Sequence, residues 1–262
     1  MSPFFPSVYA VLTGARSGAW NMAFDKSLFE LFKTGEFQKQ FGSGSLLWRF
    51  YSWNPPAVSL GYGQRPEEID KKACRKKSID IVRRPTGGRA VLHIDEFTYS
   101  MLADTRERNA EIYVMVHEVI REALLTLGID AEFCRTAPDM RKRYNSAESV
   151  SCFTASARHE LLVKGRKLVG SAQRRSNNVI LQHGSLLLSD RHKMLRELLR
   201  CSDEKVLAKI AGDLDRKTVS VYEMTGIVPR FSTVRDAMIN AISLKLETEV
   251  QLLDEHVLTA LF

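Results

Sequence analysis

The chain has no uninterrupted apolar run near the roughly 18 residues that a membrane-spanning helix needs, so no such span is expected. Met1-Ser2-Pro3-Phe4-Phe5-Pro6 lacks a basic start and a long apolar stretch, so no secretory leader is expected either. Cysteine is scarce. Cys74, Cys134, Cys152 and Cys201 include no CxxC pair, which argues against a zinc knuckle. A small disulfide scaffold is wrong for a chain of this length, and free thiols in a reducing cytoplasm are expected. Internal repeats, low-complexity tracts and long Pro/Gly linkers are missing. The paired glycines are not followed by Gly-Lys-Ser/Thr, so there is no phosphate-binding P-loop. No groove-reading motif accompanies the basic residues, and nucleic acid is not the expected partner.

What is present describes a soluble globular protein. Hydrophobic residues make up 44% and charged residues 26%, which excludes disorder across the whole chain. The 262 residues suffice for one large domain or two small ones. Lys plus Arg exceeds Asp plus Glu by 38 to 31. That balance suits nucleic acid, an anionic surface or an acidic protein partner without choosing among them. The basic residues cluster at Lys71-Lys72, Arg75-Lys76-Lys77, Arg83-Arg84 and Arg141-Lys142-Arg143.

Met22, Phe24, Leu28, Phe29, Leu31 and Phe32 put a broad apolar stripe on a helix from Gly18 to Lys33, with Gly35 at its stop. Leu46 to Tyr51 is strand-like. Asn54-Pro55-Pro56 turns the chain, and Ala57 to Leu60 is expected to return as the next strand. A short charged helix is expected from Pro66 to Lys77, then strands at Ile79–Arg83, Ala90–His93 and Phe97–Leu102. A second amphipathic helix runs from Asn109 to Leu127, ending at Gly128. Lys164-Gly165-Arg166 and Asn177-Asn178 each mark a hairpin. From Met194 the pattern is mainly helical, with Ser232 as a candidate N-cap of the last long helix. Strands dominate to about residue 190 and helices after it. The fold class is therefore α+β: one domain over 1–262, with mixed or antiparallel sheets flanked by helices and a helical C-terminal extension.

Three segments carry chemistry. Gly87 and Gly88 let the main chain approach a ligand, and Arg83, Arg84 and Arg89 surround them with positive charge. The loop could cradle an acyl thioester or a phosphate, or be a plain hairpin turn. Lys167 leads through Leu168-Val169 into Gly170-Ser171-Ala172, where Gly170 and Ala172 leave room beside it. Its amine could polarise a carbonyl or lower a thiol pKa, or it could be an exposed turn lysine. Cys152 could be a small buried hydrophobe, or a nucleophile if His93, Lys167 or His183 supplies positive charge.

Together, Arg83-Arg84-Pro85-Thr86-Gly87-Gly88-Arg89-Ala90-Val91-Leu92-His93, Lys167 to Gln173 and Leu181-Gln182-His183-Gly184-Ser185 resemble the lipoate–protein ligase and octanoyltransferase superfamily. That superfamily shares its fold with biotin ligases. The resemblance covers roughly Trp20 to Leu188. Arg89 stands where the ATP-using ligases carry a third glycine, and Cys152 precedes the lysine segment. Both are similar to the octanoyltransferase branch with a loop cysteine. The resemblance then implies that Cys152 takes octanoyl from octanoyl-acyl carrier protein and passes it to a lysine of a lipoyl domain. That domain would belong to a glycine-cleavage H protein or a dehydrogenase E2 subunit. Lys167 would hold the carbonyl. Arg84, Gly87, Gly88, Arg89, His93, Gly170, Ser171, Ala172 and His183 would bind substrate. No cofactor, metal or membrane would be needed. The alternatives are an ATP-dependent ligase using Lys167, an amidotransferase, and a non-catalytic carrier-protein or nucleic-acid-binding module.

Overall fold

The computed structural model describes residues 5–134 and 159–262. It opens on a strand absent from the sequence expectations, β1 (Val8–Arg16). Its first four residues are all buried, so the alternation that marks a half-exposed strand is missing. Ser17 then caps α1 (Gly18–Thr34) by accepting from Trp20 N, and Gly35, at φ 78°, stops it. The short α2 (Glu36–Phe41) leads to β2 (Leu46–Trp53).

The next strand, β3 (Ala57–Leu60), does not return beside β2. It starts a second sheet, pairing in parallel with β4 (Asp80–Arg83) and antiparallel with β5 (Val91–His93). The expected helix from Pro66 to Lys77 is also split. A 3-10 turn spans Pro66–Glu68, and Asp70 then caps a separate α3 (Lys71–Lys76).

The chain continues through β6 (Glu96–Asp104), α4 (Asn109–Thr126) and β7 (Glu132–Phe133). Gly128 follows α4 with φ 76°. After the second described stretch begins, β8 (Leu161–Val163) and β9 (Arg166–Lys167) form a hairpin. Its turn residues, Lys164 and Gly165, both adopt positive φ, as a two-residue type I′ turn requires. A second hairpin joins β10 (Val169–Ser176) to β11 (Val179–Leu187).

A long 3-10 segment (Asp190–Leu198) and α5 (Glu204–Lys217) cover the small sheet. Next come α6 (Val221–Thr225) and α7 (Phe231–Leu246). The cap of α7 is Arg230 rather than Ser232, so the helix starts earlier than the Ser-Thr signal suggested. The C-terminal region is not purely helical. It adds β12 (Val250–Leu253) parallel to β1 at the edge of the main sheet, followed by α8 (Glu255–Thr259).

The main sheet has the order β10-β11-β6-β2-β1-β12, antiparallel on one side and parallel on the other. Trp48, Phe50, Phe97, Tyr99 and Met101 face α4 and α7. Leu47, Leu102 and Leu181 face α1 and α2, against Phe24, Leu28 and Phe32. Burying an aromatic or leucine side chain of this kind is worth about 1.5–3 kcal/mol.

Candidate active site

The main-sheet face toward α1 changes character along its strands. In register, Leu47, Leu102 and Leu181 form an apolar row. The next row is Arg49, Ser100 and His183, and the one after it is Tyr51, Thr98 and Ser185. The apolar end packs on α1, and the small sheet stands over the polar end. Between them lies a cleft whose walls include Met22, Trp53, Val91, His93, Ala172 and His183.

Two buried carboxylates organise the wall. Asp25, on α1, receives Arg49 Nη1 at 2.6 Å, Ser100 Oγ at 2.8 Å, Tyr51 OH at 3.2 Å and His183 Nδ1 at 3.3 Å. Burial alone would raise the Asp25 pKa, but the Arg49 guanidinium and the bonds from His183 and Ser100 outweigh it and hold the carboxyl below its usual range. Burial pushes the His183 pKa down, so the ring is neutral. Its Nδ1–H donates to Asp25, and its Nε2 accepts the Thr86 hydroxyl at 2.6 Å. The threonine of the Gly-Gly loop is thereby tied to the floor of the cleft.

The second carboxylate is Glu96. Its Oε1 receives His93 Nδ1 at 2.6 Å, Thr98 Oγ1 at 2.7 Å and Ser185 Oγ at 2.8 Å. His93 Nε2 meets Ser59 Oγ at 2.7 Å, and the Trp53 indole stacks on the His93 ring at 4.0 Å. Trp53 Nε1 donates to Thr98 Oγ1. The Arg84 guanidinium donates to the carbonyls of Ser59, Gly87 and Arg89, which makes it the clamp of its own loop. These polar groups are turned toward one another, so the cleft is presented with aromatic and aliphatic surface.

A third cluster lies on the α4 side. Ser171, Gly184 and Tyr99 stand side by side in register across three strands. Tyr99 OH reaches over Gly184 to Ser171 Oγ at 2.6 Å. A Cβ on Gly184 would come within 2.6 Å of both Ser171 Oγ and Gly170 O, so only glycine fits there. Ser171 Oγ also meets His117 Nε2 at 2.9 Å, and His117 Nδ1 donates to the His159 carbonyl at 2.7 Å. Burial holds the His117 pKa down at about 3. The neighbouring residue, Glu160, accepts from Lys167 Nζ at 2.7 Å, and both side chains are nearly fully buried.

The structure thus distributes the residues singled out in the sequence. Arg84, His93, Gly170, Ser171, Ala172 and His183 border the cleft. Gly87, Gly88 and Arg89 are not part of its wall. Gly88 instead packs against Gly61, where a Cβ would lie 2.0 Å from the Gly88 carbonyl, and Arg89 pairs with Glu68 at 3.7 Å. Lys167 is neither an exposed turn residue nor part of the cleft wall; it sits in the α4-side cluster. Cys152 and the Arg141-Lys142-Arg143 cluster lie outside the described residues. Of the described cysteines, Cys74 and Cys201 are free thiols.

Sequence reasoning passed over Asp25, Ser59, Glu96, His117 and Glu160. Asp25 did leave a signal, since it falls on the buried stripe of α1 between Met22 and Phe29. Glu96 stands three residues after His93, and the two meet across the short turn between β5 and β6. Ser59, His117 and Glu160 carry no comparable sequence mark.

Comparison with known proteins agrees with this architecture. The family model of the lipoyl protein ligase A/B catalytic domain matches residues 17–243. An octanoyltransferase LipM of Anoxybacillus flavithermus is 39% identical over 220 residues, covering 81% of this chain and 77% of the relative. That of Geobacillus kaustophilus is 38% identical over 226 residues, covering 84% and 78%. Among solved structures, one from an archaeal lipoylation system, a bipartite lipoate protein ligase and its E2 lipoyl domain from Thermoplasma acidophilum, superposes with a TM-score of 0.75. It is 21% identical and covers 97% of this chain and 90% of that one. A lipoate-protein ligase A bound with ATP superposes at 0.71 with 19% identity, covering 98% and 92%. At those identities the two structures speak for the biotin/lipoate ligase fold. The matched extent and the identity of the relatives place this chain in the lipoyl protein ligase A/B catalytic-domain family.

Proposed function

We propose that the protein is an octanoyltransferase of lipoate biosynthesis that moves octanoyl from octanoyl-acyl carrier protein to a lysine of a lipoyl domain. The relatives named octanoyltransferase support octanoyl transfer. The observation that carries the reading is the internal satisfaction of the cleft's polar groups. Arg84, His93, His183 and Trp53 direct hydrogen bonds to other groups of the protein: the Gly87 and Arg89 carbonyls, Glu96 and Ser59, Thr86 and Asp25, and Thr98 respectively. An aliphatic chain is the ligand that loses nothing by entering such a site, at about 0.8 kcal/mol gained per buried CH₂.

In this reading Cys152 attacks the donor thioester and frees the carrier's thiol, giving an octanoyl-thioester enzyme. The target lysine's amine then attacks, the C–S bond breaks, and an amide forms. Thioester to amide is downhill, so no ATP enters. Lys167 stabilises the negative charge that develops on the carbonyl oxygen. The donor and acceptor proteins would be held in part by the chain's excess of basic residues. Among the described residues no helix is long and apolar enough to cross a membrane.

The test is intact-protein mass spectrometry after mixing with octanoyl-acyl carrier protein without ATP, beside Cys152→Ser. The expected result is one added octanoyl group, removed by neutral hydroxylamine and absent from the variant, that then passes to a lipoyl domain. Absence of the adduct, with lipoyl domains modified only when ATP is supplied, would replace this reading with an ATP-dependent ligase.

A further inference from the structure

Glu160 is a buried carboxylate that, like Glu96, leaves one oxygen without a hydrogen-bond partner among the described residues. Only 3% of the residue is exposed. Its Oε1 accepts from Lys167 Nζ at 2.7 Å, and its Oε2 is buried with no hydrogen-bond partner. The contrast with Asp25 is informative. Both oxygens of Asp25 are engaged, by Arg49, Ser100, Tyr51 and His183, as expected of a carboxylate that holds a core together. Among the described residues Glu160 has one side-chain bond, and that bond goes to a lysine.

The backbone beside Glu160 is held with more care than its side chain. His117, on α4, donates from Nδ1 to the carbonyl of His159, the preceding residue. Because that carbonyl can only accept, the ring proton is on Nδ1, and Nε2 of the neutral ring accepts the Ser171 hydroxyl. The Ser171 proton is then committed to His117, so Tyr99 must donate to Ser171, and Gln182 Nε2 donates to Tyr99 at 3.2 Å. One directional chain of hydrogen bonds thus runs from β11 through β6 and β10 to α4, and ends on the peptide next to Glu160. The Glu160 carbonyl itself accepts from Cys134 N at 2.8 Å. On the other side, Lys167 is fixed through its backbone, whose carbonyl accepts from Val219 N at 3.0 Å.

We propose that Glu160 is the positioning residue of Lys167: its buried carboxylate, 2.7 Å from Nζ, sets where the lysine amine stands. The inference rests on the reading that Lys167 serves acyl transfer. Glu160 makes no contact with the substrate in this role. It acts through the lysine, and the chain ending at His159 acts through Glu160.

A double-mutant cycle in the full-length protein tests this, using Glu160→Gln, Lys167→Met and both together. The rates measured are octanoyl loading from octanoyl-acyl carrier protein and onward transfer to a lipoyl domain. Gln has nearly the shape of Glu, so thermal melting checks that the fold persists. Glu160→Gln should lower the rate constant of the lysine-assisted step at least tenfold with KM little changed. In the Lys167→Met background it should have no further effect, since nothing remains to position. Equal losses from Glu160→Gln in both backgrounds would overturn the proposal, and so would wild-type rates in the single variant. If Glu160→Gln melts too early to assay, His117→Gln gives a second arm, and its loss must likewise vanish in the Lys167→Met background. The activity reading fails separately. In that case the wild-type chain neither loads nor transfers octanoyl, or Lys167→Met does both at the wild-type rate.

Discussion

Acid should destabilise this protein through His117, and the size of the effect follows from its environment. The ring is fully buried, packed against the tilted Tyr113 ring at 4.2 Å between centroids, and held neutral with a pKa of about 3. An unfolded chain restores the ordinary value of 6.5. Above that value the ring is neutral in both states and folding stability is indifferent to its titration. Below it the unfolded chain takes up a proton that the folded protein refuses. Stability therefore falls as pH drops from about 6.5 toward 3, at about 1.4 kcal/mol per pH unit. Between pH 7 and pH 5 the loss from this one residue is about 2 kcal/mol. His117→Gln keeps a polar side chain but does not titrate. Urea unfolding of wild type and variant at both pH values isolates the contribution, because every other titrating group is common to the two. The wild type should lose about 2 kcal/mol more than the variant. Parallel losses would mean that His117 is protonated in the folded protein, and the directional hydrogen-bond chain through Ser171 would be wrong.

Further expectations concern the carboxylate and the glycine that shape the site. Asp25→Asn leaves the fully buried Arg49 without its counter-charge and should cost about 3–5 kcal/mol in urea unfolding; a cost under 1 kcal/mol would show that the Thr13 and Asn21 contacts suffice for the guanidinium. Gly184→Ala drives a methyl against the Gly170 carbonyl and the Ser171 hydroxyl, and should cost about 1–3 kcal/mol and slow acyl transfer. Its melting temperature and transfer rate together check this, and an unchanged protein would show that β10 can shift to accept the methyl.

Much of the fold was legible because local physics decided it. The stripe from Met22 to Phe32 requires a helix, Gly35 stops it, and Lys164-Gly165 and Asn177-Asn178 turn hairpins whatever surrounds them. The family was legible for a related reason, since the Arg-Pro-Thr-Gly-Gly-Arg loop and the lysine segment are contiguous in the chain. Tertiary structure decided the partners. Ala57–Leu60 has strand composition, yet only packing sends it to the second sheet, because hydrogen bonding to β2 and to β4 is locally equivalent. Asp25 and His183 are 158 residues apart, and Thr86 joins them only when the small sheet closes over the large one. Lys167 could be singled out from its neighbours in sequence. That it is buried against Glu160, rather than exposed at a turn, follows from the meeting of β9, α4 and the residues before β8, and local sequence encodes the strand but not what will cover it.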